Sequence, residues 1–141
     1  MKKIEFTTSC SKDRLSEIRG FVREQLAQLH ISDVEKNQIV LAVDEACANA
    51  IIHGNNCDET KKLKLLLEIG TNNLLVEISD VGKFRPNEIN WSTRNAVAES
   101  LRHKNRGGLG LALMNRIMDK VKFYSKNEVN ICLLSKRIKK T

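Results

Sequence analysis

One segment limits the fold more than any other. Residues 62–80 read KLKLLLEIGTNNLLVEISD, two strand-length apolar runs joined by Gly-Thr-Asn-Asn. Side chains alternate across a strand, so Leu74, Val76, Ile78 and Asp80 fall on one side. The two runs are predicted to form a β-hairpin with one buried face. A carboxylate is the last residue of that buried face, a place where charge is rarely found.

The remaining elements follow from periodicity and caps. KKIEFTT (residues 2–8) alternates at Ile4 and Phe6 and is predicted as a first strand. Ser9 or Ser11 is placed to cap a helix over KDRLSEIRGFVREQLAQL, with Leu15, Ile18, Val22, Leu26 and Leu29 on its apolar side. Gly20 weakens this helix without ending it. Ser32-Asp-Val-Glu35 is a capping box. It opens a second helix with Val34, Ile39, Ala42, Ala46, Ala50 and Ile51 on or near one face, and Gly54 after His53 is a stop signal. Residues 81–106 are long and polar, hold the only proline and only tryptophan, and leave room for a short helix over Thr93 to Leu101. A loop of this length in a compact domain is usually functional. GGLGLALMNRIMDK reads as a glycine-rich turn running into a helix at Leu111, and VKFYSK with EVNICLLSKR as a closing hairpin. The order β-α-α-β-β-loop-α-β-β implies an α+β two-layer sandwich: one mixed, mostly antiparallel sheet with helices on one face, in a single domain spanning residues 1–141.

Composition narrows the function classes. The chain has 141 residues and 41% hydrophobic content, enough for a core of its own. No apolar run approaches a membrane span, and the start MKKIEFTTSC lacks the apolar stretch of a signal peptide. Cys10, Cys47, Cys57 and Cys132 are irregularly spaced, which fits reduced packing thiols in a cytoplasmic protein better than a zinc site. A net charge of +7 raises nucleic-acid binding as one reading. The basic residues are scattered apart from SKRIKK, and six aromatic residues offer little stacking, so an acidic protein or a nucleotide fits at least as well.

Three constellations carry chemistry. Glu45, Asn49 and His53 recur every four residues, near one helix face. Glu45 can act as a base or orient a water, and Asn49 offers a neutral oxygen suited to Mg²⁺ already bound to phosphates. Taken alone, the row reads more readily as an ordinary polar helix edge. Asp80-Val81-Gly82 places an acceptor for an amino group at a strand end, with Gly82 allowing a flat ligand close approach. Taken alone, it is a turn leaving a strand. Arg106-Gly107-Gly108-Leu109-Gly110 precedes a helix, where exposed N–H groups and the helix dipole favour an anion and Arg106 suits a terminal phosphate. Taken alone, it is a flexible hinge. Neither a Walker nor a dinucleotide-binding fingerprint is matched.

In combination and in this order, the three resemble the Bergerat-fold ATPases, which include gyrase, MutL, heat-shock chaperones, histidine kinases and bacterial anti-sigma factor kinases. The stretch DEACANAIIHGNN, with Glu45, Ala46, Asn49, Ala50, Ile51, His53 and Gly54, is similar to the anti-sigma factor serine/threonine kinases, whereas histidine kinases usually carry Asn at the place of Glu45. The resemblance implies that Asp80 binds the adenine amino group of ATP, that Asn49 holds Mg²⁺, and that Gly107 to Gly110 wrap the phosphates. Residues 83–106 would form an ATP lid. Glu45 would be the catalytic acid-base group, and His53 with Gly54 would shape the far end of the pocket or cap the helix. Two departures stand out: Phe84 occupies the place of a frequent second glycine, and Val129-Asn130 that of a Gly-Thr pair, so that Asn130 would supply the hydrogen-bonding group. The implied activity is ATP-dependent phosphorylation of an anti-anti-sigma partner on serine by a homodimeric protein that also binds a sigma factor, with no direct nucleic-acid contact. A non-catalytic ATP-binding switch is the alternative. Asp44 is read as a solvent-facing neighbour of Glu45.

Overall fold

The computed structural model describes residues 2–51, 60–80 and 106–138, with backbone only for 106–109. His53, Gly54, Cys57, Gly82, Phe84, the segment 83–105 and the short helix expected within it over residues 93–101 lie outside the described residues, as do the side chains of Arg106 and Leu109.

Five strands form one sheet: β1 (Lys2–Ser9), β2 (Lys62–Ile69), β3 (Asn73–Asp80), β4 (Lys120–Lys126) and β5 (Val129–Arg137). Their order is β1-β2-β3-β5-β4. All four pairings are antiparallel, so the expected mixed sheet is antiparallel throughout the described residues. The last strand in sequence is therefore inserted beside β3 rather than added at an edge. The alternation expected for β3 holds, with Leu74, Val76, Ile78 and Asp80 all buried. They meet Leu63, Leu65 and Leu67 of β2, also fully buried, on the same face. Burying each such aliphatic side chain contributes about 1.5–3 kcal/mol, which fixes the register, since a one-residue slip would expose the whole set. The β4–β5 hairpin turns on Asn127 and Glu128, both at positive φ (53° and 66°), the pairing a tight two-residue turn requires.

Among the described residues, three helices cover one face. A short 3₁₀ turn (Lys12–Arg14), capped by the Ser11 hydroxyl, which accepts from the Asp13 N–H, leads into α1 (Leu15–Leu26). Of the two cap candidates, Ser11 is the one used. Helix α2 (Asp33–Asn49) starts at Ser32, whose side chain accepts from the Glu35 N–H, as the capping box requires. Val34 departs from the expected apolar face: it is exposed, one heptad before the exposed Leu41 and on the same side of the helix. The buried side of α2 is Ile39, Val40, Ala42, Val43, Ala46 and Cys47. Asp44 also departs from expectation. It faces α1, where its Oδ1 accepts from Arg19 at 2.9 Å in a partly buried ion pair.

The glycine segment is helical. Helix α3 runs Arg106–Ile117, so the expected turn before Leu111 is instead the first turn of the helix. Helix α2 packs against both α1 and α3. Gly20, in the middle of α1, is exposed and has open space where a Cβ would be. We expect Gly20→Ala to stabilise the protein by about 1 kcal/mol, a rise in melting temperature of about 3–5 °C in a thermal scan.

Candidate nucleotide-binding site

A cleft of about 310 Å³, counting the part open to solvent, lies between α2 and the ends of β3, β4 and β5. Its walls are mostly apolar: Ala46 and Ala50 on α2 and just beyond it, Ile78 on β3, Phe123 on β4 and Cys132 on β5. Small residues on α2 leave room for a flat ring, and Ile78 and Cys132 are cross-strand neighbours that form its floor. Three polar residues line the same cleft: Asn49, Asp80 and Asn130. All three are buried. An apolar slot with a few convergent polar groups is the general form of a small-molecule site.

The polar groups are held by the sheet register. Asp80 pairs with Asn130, and Asn130 pairs with Ser125. The Asn130 amide Nδ2 donates to Asp80 Oδ1 at 3.2 Å, and the Ser125 hydroxyl donates to Asn130 Oδ1 at 2.9 Å. Across the cleft, the Asn49 amide nitrogen is buried without a hydrogen-bond partner among the described residues. A buried polar atom left unsatisfied costs about 1–3 kcal/mol, a cost that a bound ligand can remove.

Glu45 lies one helical turn before Asn49, about 6 Å along the α2 axis. It does not line the cleft. It is half-buried and stands against α3, where a Cβ placed on Gly110 would fall on the Glu45 carboxylate. A side chain at 110 would force the Glu45 carboxylate to move aside. That close approach is the physical reason for glycine inside a helix, where it otherwise costs about 1 kcal/mol against alanine.

The site residues expected from sequence thus divide. Asn49, Asp80 and Asn130 come together in one cleft, and Glu45 meets Gly110 beside it. Gly107 and Gly108 lie in the first turn of α3, whose initial N–H groups have no partner within the helix. Ser125, Phe123 and Cys132 belong to the site and were not anticipated. Parity could have found Cys132, two residues after Asn130 on the same strand face. Ser125 needed the β4–β5 register.

Burial, then the charge of Asp80, pushes the Cys132 thiol well above its ordinary value. Burial also raises Cys47, followed by Cys132 and Asp44. Among the described residues Cys10, Cys47 and Cys132 are buried and form no disulfide, so all three act as packing groups. Among the described residues, no cluster of three or more His, Cys, Asp or Glu could hold a metal by itself. No helix among them is long and apolar enough to cross a membrane.

The chain is similar to known proteins in sequence and in fold. Residues 8–136 match the family model of the histidine kinase-like ATPase domain. The chain is 31% identical over 126 residues to an anti-sigma F factor of Clostridium perfringens, covering 86% of this chain and 89% of that protein. It is 33% identical over 111 residues to a serine-protein kinase RsbW of Staphylococcus epidermidis, covering 77% and 68%. Its fold is similar to that of a crystal structure of the RsbU and RsbW domains of a Mycobacterium tuberculosis protein, with a TM-score of 0.67 and 15% identity, over 97% of this chain and 32% of that one. The chain belongs to the histidine kinase-like ATPase family, in its anti-sigma factor kinase branch.

Proposed function

We propose that this protein binds ATP in the cleft and transfers the terminal phosphoryl group to a serine of an anti-anti-sigma partner, holding a sigma factor when that partner is not engaged. The observation that carries the reading is Asp80, buried in the lining of an apolar slot that also holds the Asn49 amide nitrogen, which has no hydrogen-bond partner among the described residues. A carboxylate there meets the exocyclic amino group of adenine, while Ala46, Ala50, Ile78 and Phe123 cover the ring.

The triphosphate then runs toward the first turn of α3, where N–H groups and the helix dipole meet its charge. Arg106, the first residue of that turn, adds a cation. Asn49 would hold Mg²⁺ through its side-chain oxygen, an assignment that fits the unsatisfied amide once its two ends are exchanged. One neutral protein oxygen is enough where phosphates and water complete the octahedron. Bound there, Mg²⁺ would neutralise phosphate charge. Glu45 orients the serine hydroxyl and accepts its proton as the serine oxygen bonds to the γ-phosphorus and the bond to the β-phosphate oxygen breaks, releasing ADP. Phosphoryl transfer depends on positioning and charge neutralisation more than on base strength. Residues 83–106 would act as the lid, and the printed name of a relative, an anti-sigma F factor, supports the sigma factor reading.

The test is calorimetric titration with ATP and Mg²⁺, followed by a transfer assay on candidate serine-bearing partners. Absence of ATP binding would overturn the proposal. Binding without transfer to any partner that forms a complex would leave a nucleotide-dependent switch instead.

Gly110→Ala tests the geometry directly. Alanine gains about 1 kcal/mol of helix propensity, and displacing the Glu45 carboxylate costs about 0.5–1.5 kcal/mol in rotamer strain. The two nearly cancel, so the melting temperature stays within about 4 °C of the original. Transfer falls about 10–100-fold because the acid has moved. A transfer rate unchanged in Gly110→Ala would show that the acid's position does not matter.

A further inference from the structure

We infer that the exposed ridge of α2 is the docking surface for the protein that presents the serine, with Leu41 as its main contact. The inference rests on reading Glu45 as the acid that meets that serine. Helix α2 packs against α1 and against α3, so it is the middle helix of the layer. Its buried residues face inward, and the opposite side is the outer surface of the molecule. Val34, Leu41 and Ala48 recur every seven residues along that outer side. Among the described residues three large apolar side chains are exposed, and two of them are Val34 (67%) and Leu41 (41%). Single exposed apolar residues are ordinary, but two on one ridge of a helix form a stripe that the core did not place. Val34, a β-branched residue, also lowers helix propensity while packing into no core.

The ridge leads to the candidate acid. Glu45 is one turn beyond Leu41, about 6 Å along the axis, on the side that faces Gly110 of α3. Val34 is about 16 Å from Glu45 along the same axis. A protein that brings a serine hydroxyl to Glu45 has to lie over this part of α2. A specific contact covers about 800 Å² on each partner, which is a disc of about 16 Å radius. Centred on Glu45, that disc contains Leu41 and meets Val34 at its rim. Asn37 and Gln38, both exposed, flank the stripe and give it the polar border such contacts have. The occupant is therefore a folded, serine-bearing protein with an apolar surface about 6 Å from its hydroxyl, the spacing of Leu41 from Glu45. A short serine peptide would reach Glu45 without covering the ridge.

The experiment measures transfer kinetics of the full chain and of its Leu41→Gln, Val34→Gln and Leu41→Met variants, with the anti-anti-sigma protein that accepts the phosphoryl group as varied substrate. Glutamine keeps helix propensity, so the fold is retained. Leu41→Gln should raise KM for that protein about tenfold, the loss expected of a central contact, and Val34→Gln about threefold. Turnover at saturation and ATP affinity should stay within about twofold, since binding common to ground and transition states moves KM alone. Leu41→Met keeps an apolar surface and should restore KM. A merely structural role would lower turnover or ATP affinity together with acceptor binding. An unchanged KM in Leu41→Gln overturns the docking surface and leaves the kinase reading standing. So does a variant whose only change is loss of self-association or of sigma factor binding, because the ridge then belongs to a second copy or to the sigma factor. If the unsubstituted chain transfers no phosphoryl group to any partner, both readings fall.

Discussion

Glu45→Ala should lose phosphoryl transfer by about two to four orders of magnitude, the range for removal of a positioned acid-base group. ATP affinity should stay near its original value, because Glu45 does not line the cleft proposed for the base. The fold should also survive. Glu45 is only half-buried, and the space it vacates lies against Gly110. Single-turnover transfer from radiolabelled ATP to a serine-bearing partner, set beside a calorimetric affinity, separates the two effects. Equal loss of binding and transfer would move Glu45 from the chemistry to the architecture. The double variant Glu45→Ala with Gly110→Ala sharpens the point. If Gly110→Ala acts only by displacing the acid, it adds nothing to the loss once the acid is gone, a non-additivity expected of residues in contact.

Asp80→Asn should weaken ATP about 10–100-fold. A hydrogen bond to a charged acceptor contributes about 1.5–3 kcal/mol, and each 1.4 kcal/mol is a factor of ten. The substitution preserves volume but turns an acceptor-only group into one that also donates. Asn130, which now donates to Asp80, would have to rotate or face a second amide. A fall in ATP affinity without a matching fall in melting temperature identifies ligand recognition. Unchanged affinity would remove the base from this end of the cleft.

The hairpin of β2 and β3 was legible in the sequence residue for residue, because alternation over eight positions admits one buried face. Asp80 was legible for the same reason: the parity that buries Leu74, Val76 and Ile78 buries it too. The helical row was legible as spacing, although only Asn49 of its described members lines the cleft. The first turn of α3 was not. Local propensity argues against three glycines in a helix, and the close approach at Gly110 comes from α2 through Glu45, which no local pattern contains. The exposure of Val34 and the pairing of Asp44 with Arg19 were hidden for a related reason: which side of a helix meets a neighbour depends on where that neighbour is. Ser125 was hidden because a hairpin register depends on its turn, here two residues at positive φ without a glycine.

The placement of β5 has a consequence for the chain as it is made. Asp80 is complete only when Asn130, fifty residues later, reaches it. Until then a ribosome-bound chain presents β3 as an open edge, ready to pair with any extended segment nearby. Closing that gap requires a long-range contact, the slow kind in folding. A nucleotide that needs both strands would bind only after this late step, and so would stabilise the finished molecule and none of its precursors.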